Sequence, residues 1–406
     1  MMKSKNKVWI VSEYYFPIVT STGYYITEIA EFLATKRENI HVICTNAKYN
    51  EKETINVSKE ELRKGVHIHR ILSGNIDKNN FLQRSIRLLH SSVGLFNKLA
   101  FSVKKNDQVL IVTNPAFLIL LMPIIKLTRG VKYTILVHDL FPENLVAIDK
   151  IRKSSILYKF LKRIFDFAYS QADKCVAIGR DMKEVLANKI GDASTICVIP
   201  NWSDTDVVNS LDKNETLTIK SLQLENKFIF QFAGNLGHAQ GLDNIIESIK
   251  LVKNNEIHFL FIGSGAMEKT IENFIKNNPL NNVTHIGFQN RSDQEDFLNA
   301  CDVAIVTLSD GMYGLGVPSK SYNIMATGKP ILIVAHEKSE ISLCVTEYNL
   351  GWVVEPKDPV KLSLAFEDIY KEYLDNKWGK KNNSREIALE YFSKKLILEK
   401  YNDLIQ

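Results

Sequence analysis

The 406-residue chain is poor in the features that mark secretion, membrane insertion and several kinds of catalysis. Its five cysteines, Cys44, Cys175, Cys197, Cys301 and Cys344, form no CxxC pair. An odd number without a secretion signal argues against a disulfide framework and fits a reducing cytosol. Long hydrophobic runs are also missing. The basic start is followed by Val8-Trp9-Ile10-Val11, too short for a signal peptide and read as a first strand. The longest apolar run, Ala116 to Ile125, falls short of the roughly 20 residues a membrane span needs and reads as a buried helix. There is no Walker loop, GxSxG elbow or HExxH. The loop after the first strand has one glycine, Gly23, and lacks GxGxxG, which argues against a nicotinamide enzyme.

What is present is a folded chain too long for one core, so two domains are expected. Short β-type runs alternate with helical patterns from end to end, the signature of parallel sheets with crossover helices. The strands expected first are Val8–Ser12, His41–Thr45, Val66–Ile71, Gln108–Thr113, Tyr133–His138, Lys174–Ile178 and Cys197–Ile199. After a polar stretch ending at Lys227 come Phe228–Ala233, His258–Ile262, Val283–Ile286, Val303–Thr307, Ile331–Val334 and Gly351–Val354. The spacing predicts an α/β fold of two doubly wound domains, residues 1–205 and 206–383, and a closing helix over 384–406. Such sheets bind ligands beyond their strands' carboxyl ends, which places a site in the cleft between the domains. Asp204-Thr205-Asp206 has the spacing of a metal-nucleotide carboxylate pair but sits at the seam and reads as linker.

The net charge of +5 is unevenly placed. Arg84, Arg87, Lys98, Lys104 and Lys105 lie in a stretch without an acid, and so do Lys150, Arg152, Lys153, Lys159, Lys162 and Arg163. Two readings stand: amphipathic helices with solvated basic faces, or contact with an anionic membrane surface. No recognition motif accompanies the charge, so nucleic acid is not expected.

Three segments carry candidate chemistry. In Gly314 to Pro330, Pro318 suits a first helical position. Gly314 and Gly316 allow close backbone approach, free N–H groups favour a phosphate, and Lys320 adds a cation. Asn323 shares a face with Ser319 and Lys320, within reach of a ribose hydroxyl. Gly234 to Gly241 is a glycine-rich turn between a strand and a helix, a second anion site. His138, Asp139 and Glu143 follow a buried strand, and the Tyr14 to Gly23 loop follows the first strand.

In order, these pieces resemble retaining glycosyltransferases of family 4. The resemblance covers nearly the whole chain: the Tyr15 to Gly23 loop, His138-Asp139, Ile199-Pro200-Asn201, Gly234 to Gly241, Gly263-Ser264-Gly265, Ala300 to Val303, Pro318 to Pro330 and Phe392-Ser393. The phrases GNLGHAQGL, HDLFPE and VPSKSY are similar to the bacterial branch assembling capsule, O-antigen or colanic-acid repeat units on a lipid carrier.

The resemblance implies a GT-B arrangement, two Rossmann-like domains facing across a cleft, with the last helix packing back on the first. It implies a metal-independent hexosyl- or N-acetylhexosaminyl-type transferase with no cofactor beyond its co-substrate, a UDP- or GDP-sugar. It also implies a lipid-linked saccharide as acceptor and a cytoplasmic location, peripheral on the inner membrane. The catalytic residues it implies are His138, Lys320 and His238. Donor contacts fall to Asn235, Gly237, Gln240, Gly287, Phe288, Gly316, Ser319 and Asn323, and acceptor contacts to Tyr15, Gly23, Asp139 and Glu143. Asn235 and Gln240 stand where the family has an arginine and a lysine, and Leu315 and Asn323 where it has two glutamates. Lys320 thereby becomes the principal fixed cation of the donor site. Two other readings are a GT-B-type nucleotide-sugar 2-epimerase and a non-catalytic membrane-associated scaffold.

Overall fold

The computed structural model describes residues 6–18, 20–46, 57–72, 81–378 and 383–405. Contacts divide the chain into two units. The first runs to Ile199 and takes the last residues from Leu398 on; the second is Pro200–Ile397.

In chain order the first unit contains β1 (Val8–Val11), α1 (Ser21–Lys36), β2 (Ile40–Thr45), β3 (Glu60–Arg63), β4 (Val66–Ile71), α2 (Phe81–Ser102) and β5 (Gln108–Val112). It continues with α3 (Phe117–Arg129), β6 (Lys132–Val137), α4 (Glu143–Ala147), α5 (Ile156–Ser170), β7 (Lys174–Ala177), α6 (Arg180–Ile190) and β8 (Ile196–Val198). The eight strands form one sheet in the order β3-β4-β2-β1-β5-β6-β7-β8. All neighbours are parallel except β3 and β4. Every residue of β1 and β2 is buried, because helices cover both faces, and this is why they read as unbroken apolar runs. β3 is absent from the sequence reading. Three of its four residues are charged, as befits an exposed edge, and what betrays it is the turn. Lys64 and Gly65, both at positive φ, join it to β4 as a two-residue hairpin.

The second unit contains α7 (Leu217–Leu222), β9 (Phe228–Ala233), α8 (Leu242–Ile249), β10 (Ile257–Ile262), α9 (Glu268–Asn277), β11 (Val283–Ile286) and α10 (Gln294–Asn299). It continues with β12 (Val303–Thr307), α11 (Lys320–Ala326), β13 (Ile331–Val334), α12 (Glu340–Glu347), β14 (Gly351–Val354), α13 (Pro359–Leu374) and α14 (Ser384–Tyr391). Its six strands, all parallel, run β11-β10-β9-β12-β13-β14. Renumbered within the unit this is 3-2-1-4-5-6, the order of dinucleotide-binding sheets. Phe366 of α13 meets Phe230 and Phe259 edge to face at 4.8 Å, locking β9 and β10 together beneath the site. Burying each such ring stabilises the unit by about 1.5–3 kcal/mol.

Every strand read from the sequence is present within a residue at either end. The closing helix is different. It is two helices, α14 and α15 (Lys394–Leu404), broken at Phe392-Ser393, where the Ser203 N–H donates to the Phe392 carbonyl. α14 belongs to the second unit, held by Arg385, which donates to the carbonyls of Thr205, Val208 and Ala326. From Leu398 on the chain belongs to the first unit, where Arg37 donates to Asn402 and to the Ile405 carbonyl. The expected limits at 205/206 and 383/384 therefore give way to 199/200 and 397/398. All five cysteines are free. Among the described residues no helix is long and apolar enough to cross a membrane.

Candidate functional site

In a 3-2-1-4-5-6 sheet the crossovers diverge between the first and fourth strands and open a crevice at their carboxyl ends. Here those strands are β9 and β12. Gly234, after β9, and Gly263, after β10, both have positive φ (141° and 134°). A Cβ on Gly263 would lie 2.0 Å from the Gly234 carbonyl oxygen, and one on Gly265 would lie 2.5 Å from that of Leu236. The two loops thus run backbone against backbone, with the Leu236 N–H donating to Ser264 and the Met267 N–H to Leu236. The far end is pinned to β12: Thr307 Oγ1 donates to the Gln240 carbonyl and the Ser309 N–H to that of Ala239. Glycine is needed here for closeness, the condition for main-chain N–H groups to line an anion site.

Lys320 reaches this loop. Its Nζ is buried, has no hydrogen-bond partner, and sits 3.3 Å from the centroid of the Phe232 ring. A Cβ on Gly234 would be 3.3 Å from its Cδ and 3.5 Å from its Nζ. Burial alone pushes the amine well below the ordinary lysine range. A desolvated cation gains about 2 kcal/mol from an aromatic face, whereas removing an ammonium from water costs several kcal/mol. Burial there therefore disfavours the charge, a balance that an anion beside the amine would reverse. The helix behind it is shorter than expected: α11 is seven residues long and starts at Lys320, two residues after Pro318. Pro318 lies in the preceding turn, its carbonyl accepting from the Ser321 N–H.

The other donor candidates are distributed unevenly. Asn235 is exposed, and its amide lies over Gly237 and Gly265. His238, also exposed, opens a short 3-10 turn that ends at Gln240. Gly316 and Ser319 lie in the segment leading into α11, Ser319 as its cap. Gly287 and Phe288 follow β11; nothing lies within 4 Å of a Cβ on Gly287, and Phe288 is 69% exposed, an open apolar position. Asn323 is a correction. Its Oδ1 accepts from the Asp204 N–H at 3.0 Å and its Nδ2 donates to Gln294, so this buried amide secures the linker. Asp204 in turn pairs with Arg291, which agrees with its reading as linker. Among the described residues one trio, Glu268, Glu272 and His285, has ligand atoms close enough to hold a metal ion; it lies on α9 and β11, and Glu272 is exposed.

In the first unit, His138 follows β6. Its N–H and that of Asp139 both donate to Thr113 Oγ1, at 3.1 and 3.2 Å, and its Nδ1 lies 3.5 Å from Thr22 Oγ1. Burial pushes its imidazole down to about 4, so at neutral pH it is uncharged and can exchange hydrogen bonds but not supply a cation. Gly23 lies in the first turn of α1, capped by Thr20, and a Cβ there would come 2.5 Å from the Ile18 carbonyl oxygen. Asp139 is exposed. Two acceptor candidates are corrected. Tyr15 is 1% exposed, a core residue whose hydroxyl is pushed upward by burial. Glu143 accepts two hydrogen bonds from Lys189, which also pairs with Asp166, so it holds α4 and α5 to α6.

The sequence reading singled out the segments of Phe232 and Thr22 but not the contacts these two side chains make, and it missed Thr113 and the pairing of Glu13 with Arg87. Glu13 is fully buried directly after β1, and only its strand-end position marked it. That pair removes Arg87 from the first basic block, and Lys98 is engaged with Glu60. The side chain of Arg84 lies outside the described residues.

Comparison with known proteins matches residues 22–207 to Glycosyltransferase Family 4 and residues 214–385 to Glycosyl transferases group 1. The chain is 34% identical to a probable glycosyltransferase, WbjE, of Pseudomonas aeruginosa over 95% of its length and 96% of that protein's. It is 22% identical to WcaI of Escherichia coli K12, a putative colanic acid biosynthesis glycosyl transferase, over 86% of its length and 89% of WcaI's. Among solved structures, Anabaena Alr3699/HepE in complex with UDP-glucose superposes with a TM-score of 0.71 at 14% identity, covering 98% of this chain and 99% of that one. The last likeness is one of fold; the first, with the two domain matches, decides kinship, and the chain belongs to the family 4, group 1 glycosyltransferases.

Proposed function

We propose that the second unit binds a nucleotide-sugar, with the donor diphosphate against Lys320 and the backbone of the Gly234–Gly241 loop, and that the first unit presents His138 to the transferring sugar and holds a saccharide acceptor. The observation that carries this reading is the buried, unpartnered Lys320 Nζ beside a loop closed to side chains. In transfer with retention, the bond from the sugar's anomeric carbon to phosphate oxygen breaks as the acceptor hydroxyl attacks the same face. The hydroxyl proton passes to the departing diphosphate. Lys320, exposed His238 and loop N–H groups stabilise the charge that develops there, a scheme that needs no metal. Neutral His138 acts by hydrogen bonding to a sugar hydroxyl. UDP-glucose in the HepE complex supports a UDP-sugar, and a GDP-sugar is the other donor to test.

The reading extends to a lipid-linked acceptor in bacterial surface-polysaccharide assembly, at an anionic membrane face. WcaI's description supports the pathway class. The surface of α5 supports the membrane: Ile156, Leu157, Phe160 and Phe167 point outward among exposed Lys159 and Arg163, with Lys150, Arg152 and Lys153 exposed just before it. A helix apolar on both faces with a basic fringe suits a bilayer interface. Neither the epimerase nor the scaffold reading gains an observation of its own.

Sugar transfer assayed in EDTA with a donor panel tests the core claim. Lys320→Ala should lower turnover by about 10²–10³-fold, the usual loss when one group stabilising developing charge is removed. Turnover at the wild-type rate would remove Lys320, and with it this donor site.

A further inference from the structure

We infer that Lys320 is an uncharged amine in the empty site and takes up a proton when the donor diphosphate arrives, so that this protein binds its donor together with a proton. The inference rests on the donor reading above and adds its charge state. An ammonium at Lys320 would have neither bulk solvent nor a protein counter-ion, because Nζ is buried and has no hydrogen-bond partner. What packs on it is the face of Phe232 and the backbone at Gly234.

The charged groups that could hold the proton in place are elsewhere. In the Gly234–Gly241 loop the ionisable side chain is His238, which is exposed. On the lysine's own segment, Asp310 pairs with Lys357 and Tyr322 is buried with its ring against Phe392. At the two positions where the family places glutamates, Leu315 is a buried apolar residue and Asn323 is bonded to Asp204 and Gln294. Burial is the sole cause of the lysine's depressed pKa, and no neighbouring charge offsets it. A doubly charged diphosphate supplies both a hydrogen-bond acceptor and a counter-charge, and raises the amine's proton affinity again. The balance is simple: one buffer proton is added to Nζ for each donor bound, and it is returned when the nucleotide leaves. Donor affinity must then fall as pH rises between the pKa of the empty site and that of the occupied one.

Isothermal titration of the full chain with UDP-glucose, GDP-mannose and dTDP-glucose, in buffers of low and high ionisation enthalpy at about pH 8, reads the proton count directly. These diesters carry no ionisable proton near neutrality, so the count belongs to the protein. The expected result is an uptake approaching one proton per site, with affinity declining towards tenfold for each further pH unit. In Lys320→Arg, whose guanidinium stays charged, uptake should vanish and the affinity should lose its pH dependence. Binding with the same heat in both buffers overturns the inference and leaves the donor reading standing. Equal uptake in wild type and Lys320→Arg also overturns it. If none of the three sugars binds, the donor reading fails first and takes this inference with it. The wild-type measurement stands alone should the arginine variant not fold.

Discussion

A methyl group on Gly263 would have to occupy a carbonyl oxygen's place. The 2.0 Å approach to Gly234 combined with φ of 134° leaves Gly263→Ala no local remedy, since the obstacle is backbone. The expected cost is about 3 kcal/mol in chemical denaturation, with nucleotide-sugar affinity falling further than stability because the loop that moves is the proposed anion site. Full donor affinity in a folded Gly263→Ala protein would contradict this placement of the loop. Glu143 is the opposite case, a carboxylate read as acceptor-binding that belongs to a half-buried ion cluster. Lys189, with 1% of its side chain exposed, lies between Glu143 and Asp166. Lys189→Met leaves the two carboxylates only the half-exposed Lys162 as a cation and should destabilise the fold by about 1–3 kcal/mol. Urea midpoints would record it, and an unchanged midpoint would mean that the cluster is solvated. Glycines announced the site in the sequence because their constraint is local. Tyr15, Glu143 and Asn323 misled because what a polar side chain touches is decided by elements far away in the chain.

At the scale of elements, the sequence disclosed strands well and helix limits less well. Parallel strands buried on both faces must be apolar throughout, so β9 and β12 carry their own boundaries. β3 is held by a hairpin turn and an edge, which three charged residues conceal. The start of α11 was misplaced because Pro318 can serve either a first helical position or the turn before one. α5 shows what periodicity does not settle: Tyr158, Phe165, Ala168 and Tyr169 face the core, yet the opposite side is also apolar. The paired substitution Leu157→Ser and Phe160→Ser removes two outward side chains, each about 60% exposed, that contribute little to packing. Stability should stay within about 0.5 kcal/mol of wild type. Flotation with vesicles containing anionic lipid should drop several-fold, and more than for a charge-neutral change elsewhere on the surface. Undiminished flotation would leave α5 a solvent-facing helix.

At the scale of the whole molecule, two buried histidines, His41 and His258, and the half-buried His138 tie stability to pH. Burial pushes His41, His138 and His258 down to about 4; Lys7, His67 and His69 add to the effect on His41, and Lys227 to that on His258. The local structure accounts for each. His41 stacks on Trp9 at 4.5 Å and on His67 at 4.8 Å, with its Nδ1 3.1 Å from His69 Nε2. His258 shares a 2.8 Å hydrogen bond with Thr284, and His138 lies under α1. An unfolded histidine titrates near 6.5, so in this window the unfolded chain binds more protons than the folded one. The stability these groups contribute is complete above about pH 6.5 and is lost as pH falls through that value towards 4. At about 2 kcal/mol for each, His41 and His138 remove a large part of the stability of an ordinary domain from the first unit, and His258 a smaller part from the second. Urea midpoints should therefore decline steeply between about pH 6.5 and 5, above the range where most carboxylates begin to protonate. His41→Asn should flatten part of that slope, since it keeps a polar group at the site without a proton to gain. A midpoint constant across that interval would mean that these imidazoles reach solvent in the folded protein, and the charge state assigned to His138 would fall with it.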